Sequence, residues 1–310
     1  MRIALLGAGT VGGALARQLQ RRSGPRIEIA GAFVRDTQRS RDGIARLVDE
    51  PFALLDDEGI DAVVEVLGGD EPARSLILAA FERGKHVVTA NKLVLATHWG
   101  ELQDAARAAR RQLRYEASVG AAMPVIATLR ALSGTRPRSL RGILNGTTNF
   151  ILTRMEESAT SFDDALGAAQ AAGYAEADPS SDVDGWDAAY KLAICVSTIE
   201  RRPFAPELVR RESLRGVTRE HLAEARARGR VVRYVAAADF GERAVKARVG
   251  IEELESSSLL ARPRGPENAL EIDTQAAGTI RLMGPGAGGD ATAAAILGDL
   301  LAIAERGSRP

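Results

Sequence analysis

A short apolar run, Arg2 to Leu6, leads into Gly7-Ala8-Gly9-Thr10-Val11-Gly12 and then into the amphipathic stretch Val11 to Gln20. Strand, glycine turn and helix in that order leave few folds open, because the helix must cross over to a neighbouring parallel strand. The G-x-G-x-x-G spacing has a physical meaning in this context. The first glycine permits the tight turn, the second lets backbone approach a pyrophosphate, and the third lets helix and strand pack closely, while the N–H groups of the helix start point at the anion. Gly7, Gly9, Thr10, Val11 and Gly12 are therefore expected to cradle a dinucleotide.

Further strand patterns occur at Ile27 to Val34, Ala62 to Leu67, His86 to Thr89 and Leu113 to Glu116. Helical patterns separate them near Ser40 to Val48, Glu71 to Arg83 and His98 to Arg111. This alternation predicts an α/β unit, a Rossmann-type parallel sheet with helices on both faces. From about Ala131 the pattern changes. Strands at Arg138 to Leu144, Val231 to Ala238, Ala244 to Ile251, Ala269 to Asp273 and Thr279 to Met283 bring little helix between the later members. Helices are expected at Thr148 to Glu157, Phe162 to Ala172, Gly185 to Thr198 (with Asp184 as N-cap) and Arg219 to Arg228. This half reads as an α+β unit with a mostly antiparallel sheet. The tail GPGAGGDATAAAILGDLLAIAER is a glycine loop feeding an alanine-rich helix, expected to pack back on the first unit. The expected division is a nucleotide domain of residues 1–130 completed by 284–310, and a second domain of 131–283.

Forty-one basic residues balance forty-one acidic ones, so no global field favours nucleic acid or an anionic membrane. The single cysteine, Cys195, excludes an intrachain disulfide and a multi-cysteine metal cluster. Neither a secretory signal nor an apolar run long enough to span a membrane is visible, and a cytoplasmic location is expected.

Where an acidic residue would bind the ribose hydroxyl, the second strand ends Phe33-Val34-Arg35-Asp36. Arg35 suits a 2′-phosphate and Asp36 the unphosphorylated cofactor; the balance leans slightly to NADP over NAD. The segment GYAEADPSSDVDGWDAAYK, Gly173 to Lys191, sets five carboxylates and a lysine before an apolar helix. Charge this dense beside a core needs a partner, and a small doubly charged substrate supplies one. Asp187 and Lys191 are i, i+4 neighbours on that helix, where a carboxylate favours the proton-donating ammonium. A calcium loop is excluded: with Gly185 sixth, the twelfth position is Lys191 instead of a bidentate glutamate. GILNGTTNFIL, from Gly142, joins a strand to a helix through residues that cap and expose amides. Val88-Thr89-Ala90-Asn91-Lys92 places an amine past a strand's carboxyl end, where open α/β sheets bind ligands. Glu116 stands before a turn whose carbonyls could serve a monovalent cation.

Taken together, GAGTVG, VTANK, EASVGAAMPVI, GILNGTTNFIL, the Gly173 to Lys191 block and GPGAGGDATAAAILGDL resemble, in order, the homoserine dehydrogenase family over nearly the whole chain. The resemblance implies reversible NAD(P)H-dependent reduction of L-aspartate 4-semialdehyde to L-homoserine, on the way to threonine and methionine, in a homodimer formed through the second domain. It implies Lys191 as general acid/base and Lys92 as a second active-site lysine near the nicotinamide. Glu176, Asp187 and Asp182 correspond to substrate-binding carboxylates, and Gly173 and Gly288 to glycines near substrate and cofactor. Glu116, with carbonyls of Val119, Ala121 and Met123, corresponds to a sodium site. No segment matching the regulatory ACT domain of longer members follows the last helix, so a short form is expected.

A phosphorylating semialdehyde dehydrogenase needs an accessible thiolate, which Cys195 on an apolar helix does not offer. An ammonia-releasing amino-acid dehydrogenase would share the fingerprint and carboxylates but depend on ammonia. A non-catalytic dinucleotide-binding protein would have no use for the lysines. His86, His98 and His221 show no metal-ligand spacing, and Trp99 and Trp186 read as packing residues.

Overall fold

The computed structural model describes residues 1–24 and 27–307, and its chain divides into two compact units. The first comprises Met1–Ala122 and the chain from Gly288 onward; the second is Met123–Ala287. The expected tail of the nucleotide domain runs on to residues 308–310, which lie outside the described residues.

The first unit contains β1 (Arg2–Leu6), α1 (Thr10–Arg21), β2 (Glu28–Phe33), β3 (Leu47–Val48), α2 (Phe52–Leu55), β4 (Ala62–Glu65), α3 (Ala73–Glu82), β5 (His86–Thr89), α4 (Lys92–Ala108) and β6 (Leu113–Arg114). All pairings are parallel, in the order β3-β2-β1-β4-β5-β6. Ile3, Leu5, Val63 and Val87 are completely buried, as strands covered on both faces require. The order reverses at β1, whose neighbours are β2 and β4, and this switch point puts the ligand crevice at their carboxyl ends. The C-terminal helix Gly289–Gly307 belongs to the same core: Ala293, Ile296, Leu300 and Ile303 cluster with Ile3, Leu5, Ala14 and Leu15. Gln18 donates to the Asp290 carbonyl at 2.9 Å, and the Asp299 carboxylate accepts the Glu116 amide at 2.8 Å.

Three expectations for this unit are corrected. No helix forms over Ser40 to Val48; Arg41 and Ile44 form an isolated bridge around Gly43 (φ 80°), and Leu47–Val48 add to the sheet edge beside β2. Helix α4 starts at Lys92 instead of His98, because Asn91 caps it by accepting from the Val94 amide; the expected start survives as a kink at His98. The strand expected to reach Glu116 stops at Arg114, and Glu116–Ser118 turns into a 3₁₀ helix.

The second unit contains α5 (Val125–Ala131), β7 (Pro137–Ile143), α6 (Gly146–Ser158), α7 (Phe162–Ala171), α8 (Ser180–Val183), α9 (Trp186–Glu200), β8 (Arg210–Arg211), α10 (Arg219–Ala227), β9 (Arg230–Phe240), β10 (Val245–Glu255), β11 (Glu267–Thr274) and β12 (Gly278–Pro285). The sheet order is β12-β11-β7-β9-β10-β8, antiparallel except where β8 runs beside β10. Ile143, Val235, Leu254, Leu260 and Ala269 form one core cluster here, and α9 buries Ala189, Leu192, Ala193, Ile194, Cys195 and Val196 completely. The units divide at 122/123 instead of 130/131 because α5, absent from the sequence reading, packs on α9. Asp184 does not cap α9; Gly185 does, at φ 81°, and Asp184 instead accepts from Ser213 Oγ at 2.7 Å. Among the described residues no helix is long and apolar enough to cross a membrane.

Candidate active site

Groups expected to act in chemistry lie in both units. In the first, the fingerprint glycines differ in what surrounds them. Gly7 has φ 106°, and a Cβ there would lie 3.0 Å from the Val66 carbonyl oxygen. A Cβ on Gly12 would collide with the Gly7 carbonyl, so α1 approaches the loop only because this residue is glycine. At Gly9 a Cβ would meet nothing within 4 Å, which leaves open the side from which a pyrophosphate would approach. No side chain caps α1, so its first amides are not claimed by a cap. The loop thus fits a dinucleotide on its own geometry. Gly289, the first residue of the C-terminal helix, packs against Thr10, its Cβ position 2.7 Å from Thr10 Cγ2, and this brings Gly288 (φ 119°) beside the fingerprint.

Arg35, Arg39 and Arg41 line a cavity of about 360 Å³ with Gly7, Gly9 and Leu67. The Asp36 carboxylate is used locally, accepting the Gln38 amide at 3.0 Å. Arg39 and Arg41 escaped the sequence reading because they fell at the start of the helix expected near Ser40 to Val48; the signal available was their spacing from Arg35. Lys92 is the first residue of α4, immediately after the capping Asn91 at the carboxyl end of β5.

In the second unit the two ends of the Asn145 side-chain amide organise the chemistry. Its Oδ1 caps α6 by accepting the Thr148 amide at 2.7 Å, while Nδ2 donates to Asp182 Oδ1 at 2.6 Å and Asp187 Oδ2 at 2.8 Å. The same Asp187 Oδ2 lies 2.8 Å from Lys191 Nζ, one helical turn on, and the amine also donates to the Leu144 carbonyl at 2.8 Å. The Lys191 and Asp187 side chains are only 12% and 5% exposed, so solvent screens this pair far less than a surface ion pair. An amine held at two points beside a carboxylate can give or take a proton in a fixed direction. Thr147 Oγ1 donates to the Tyr174 carbonyl at 2.7 Å, which brings the Gly173 turn (φ 77°) to the start of α6.

The structure thus joins Asp182, Asp187 and Lys191 through Asn145, a residue that the sequence reading saw only as part of a turn. The other carboxylates of the block serve elsewhere or stand apart. The Ser180 hydroxyl, and then the Ser180 amide that Asp178 accepts at 3.1 Å, hold the Asp178 carboxyl below the usual range. Glu176 is exposed, and its carbonyl accepts from Gln170 at 3.1 Å. Glu116, Val119 and Ala121 lie in the first unit and Met123 in the second. Among the described residues no group of three or more His, Cys, Asp or Glu could hold a metal ion. Cys195 is a buried thiol.

A dinucleotide cradle at a sheet switch point and a largely buried amine–carboxylate pair on an α+β scaffold define the class of nicotinamide-dependent oxidoreductases. Comparison with known proteins narrows this. The family model "Homoserine dehydrogenase" matches residues 124–301, and "Homoserine dehydrogenase, NAD binding domain" matches residues 7–116. The chain belongs to the homoserine dehydrogenase family, whose enzymes are NAD(P)-dependent oxidoreductases. It is 40% identical over 317 residues to homoserine dehydrogenase of Corynebacterium glutamicum, an alignment covering 97% of this chain and 71% of that one. A crystal structure of the Thiobacillus denitrificans enzyme superposes with a TM-score of 0.92 at 38% identity, over 98% of this chain and 73% of that one. A hyperthermophilic archaeal homoserine dehydrogenase in complex with NADPH superposes with a TM-score of 0.84 at 30% identity, over 98% of each chain.

Proposed function

We propose that the chain reversibly reduces L-aspartate 4-semialdehyde to L-homoserine with NADPH as the preferred cofactor and Lys191 as general acid/base. The observation that carries the role of Lys191 is its largely buried amine, held 2.8 Å from both Asp187 Oδ2 and the Leu144 carbonyl. When bound, the nicotinamide supplies the hydride for the aldehyde carbon. Lys191 supplies the proton for the carbonyl oxygen, and Lys92 is the second amine of the site. Asp182 and Asp187, with Glu176 and the Gly173 turn, bind the substrate and its ammonium, so that the aldehyde is presented in one orientation, a contribution of several kcal/mol. In the oxidation of homoserine Lys191 takes the proton from the hydroxyl.

The preference for NADPH rests on Arg35, Arg39 and Arg41 lining one cavity while the Asp36 carboxylate is engaged in its own turn. Guanidinium forks suit a 2′-phosphate. Glu116 and the carbonyls of Val119 and Ala121 are hard oxygen donors of the kind a sodium ion takes, with Met123 as a further candidate. A homodimer formed through the second unit accords with the exposure of β12, where Met283 is 45% exposed. The enzyme is proposed to act in the cytoplasm.

The test is nicotinamide absorbance with homoserine and NADP⁺ or NAD⁺, each with and without sodium, alongside mass determination in solution. NADP⁺ reduction that outpaces NAD⁺ is the expected result. No reduction of either removes the proposed activity; faster NAD⁺ reduction removes the cofactor preference, and indifference to sodium removes the cation's role in turnover.

A further inference from the structure

The first unit holds a completely buried carboxylate that the reaction described above does not use. Glu65 ends β4, is completely buried, and stands in register with Thr89, the last residue of β5. Its oxygens face donors. Thr89 Oγ1 lies 2.5 Å from Oε2, the Leu67 amide 2.8 Å from Oε1, and Asn91 Nδ2 3.5 Å from Oε1. Thr89 Oγ1 also accepts the Asn91 amide at 2.9 Å, which leaves its own proton for Glu65. The orientation of Asn91 is fixed: Oδ1 accepts the Val94 amide at 3.3 Å, and Nδ2 donates to the Gly69 carbonyl at 2.7 Å. An acceptor-only carboxylate satisfies every one of these bonds, whereas a protonated acid would bring a further proton against three donors that already point at it.

These bonds converge on two segments. One is the loop after β4, whose Leu67 lines the cavity beside the fingerprint. The other is the turn from which α4 starts, with Lys92 as its first helical residue. We propose that Glu65 is a positioning residue: its ionised carboxylate ties the Leu67–Gly69 loop to the Thr89–Asn91 turn and thereby fixes where Lys92 starts. This rests on the reading of Lys92 as an active-site amine. Burial pushes the Glu65 carboxyl up, against the lowering hydrogen bonds from Thr89, Leu67, Asn91 and Gly68. From β1 the register partner is Leu6, which is aliphatic. Asp70 in the loop and Lys92 on α4 are the ionisable residues that those elements bring nearest in sequence, whereas burial and the hydrogen bonds above set the Glu65 titration. The tie therefore loosens as pH falls through a raised carboxyl range, which gives turnover an acid limb.

The test uses the full chain, saturated with NADPH, and follows kcat against pH in Glu65→Gln, Thr89→Val, Lys92→Ala and the Glu65→Gln/Lys92→Ala double variant. Glu65→Gln turns an amide toward donors, so kcat is expected to fall about 10²-fold, the scale of a misplaced catalytic group, and the acid limb to disappear. NADPH affinity should stay within about threefold. Thr89→Val keeps the titrating group but removes a bond to its ionised form, so the acid limb should move to higher pH; it carries the test if Glu65→Gln does not fold. In the Lys92→Ala background Glu65→Gln should cost nothing further, as expected for residues acting as one unit. An unchanged limb in Glu65→Gln or Thr89→Val, or a full further loss in the double variant, overturns the role of Glu65. Near-normal turnover of Lys92→Ala overturns the reading of Lys92, and the positioning role with it.

Discussion

Lys191 and Asn145 make different demands on the same few ångströms. Lys191 is the proposed proton donor, and Lys191→Ala should lower kcat by about 10²- to 10⁴-fold, the usual range for a positioned acid or base. NADPH affinity should change little, since the dinucleotide loop belongs to the other unit; stopped-flow turnover and a fluorescence titration separate the two effects. Near-normal turnover would remove Lys191 from the role. Asn145 holds the arrangement together by capping α6 and donating to both Asp182 and Asp187. Asn145→Ala should cost about 1 kcal/mol for the cap and about 1–3 kcal/mol for carboxylates left short of a donor. Urea unfolding measures that loss, and the KM for homoserine should rise with it. The Asp187–Lys191 pair was legible in the sequence because both residues sit one turn apart on one apolar helix. The role of Asn145 was not, because its partners lie 37 and 42 residues away and only the fold brings them in.

The elements themselves were read well where periodicity and caps agreed, and poorly where a local signal had to yield to a neighbour. β1 and β5 match the expected spans, and α7 differs by one residue, because each is bounded by a glycine or a polar cap. The stretch from Ser40 fails as a helix because Gly43 takes a positive φ and Leu47–Val48 find hydrogen bonds on β2, a pairing set by the sheet and not by local propensity. The start of α4 was missed by six residues although Asn91 is a strong cap, since Lys92 reads as a loop cation. The fingerprint glycines allow a sharper test at this scale. Gly9→Ala meets nothing within 4 Å in the protein, whereas a Cβ at Gly12 collides with backbone. Gly9→Ala should therefore keep the melting temperature and weaken NADPH by about tenfold or more, or about 1.4 kcal/mol, by filling space meant for ligand. Gly12→Ala should lose both, because α1 must move away from the loop. Equal melting temperatures for the two variants would argue against the packing role of Gly12.

Across the whole molecule the chain leaves the first unit at Ala122, builds the second, and returns at Gly288. The change from alternating strand and helix to successive strands made two units legible, and the alanine-rich tail suggested the return. The boundary near 122 was hidden because α5 has seven residues and its role is visible only in its packing on α9. The return has a consequence for stability. Ile296, Leu300 and Ile303 of the C-terminal helix are at most 3% exposed, in the core that also holds Ile3, Leu5 and Leu15. Burying each such side chain contributes about 1.5–3 kcal/mol, so the three together weigh about as much as the 5–15 kcal/mol by which a typical domain is stable. Deleting the chain from Asp290 onward keeps Gly288 and removes no fingerprint glycine and no residue of the Asn145 cluster. It should nonetheless abolish NADPH binding, because the sheet that presents the fingerprint loses one wall of its core, and the Glu116 turn loses Asp299. Isothermal titration with NADPH checks this, with hydrogen exchange resolving β1 and β4 from β9 and β10. Retained affinity within about tenfold would show that the first unit closes its core without this helix. Loss of protection confined to β1, β2, β4 and β5, with β9 and β10 still protected, is the outcome that separate cores demand.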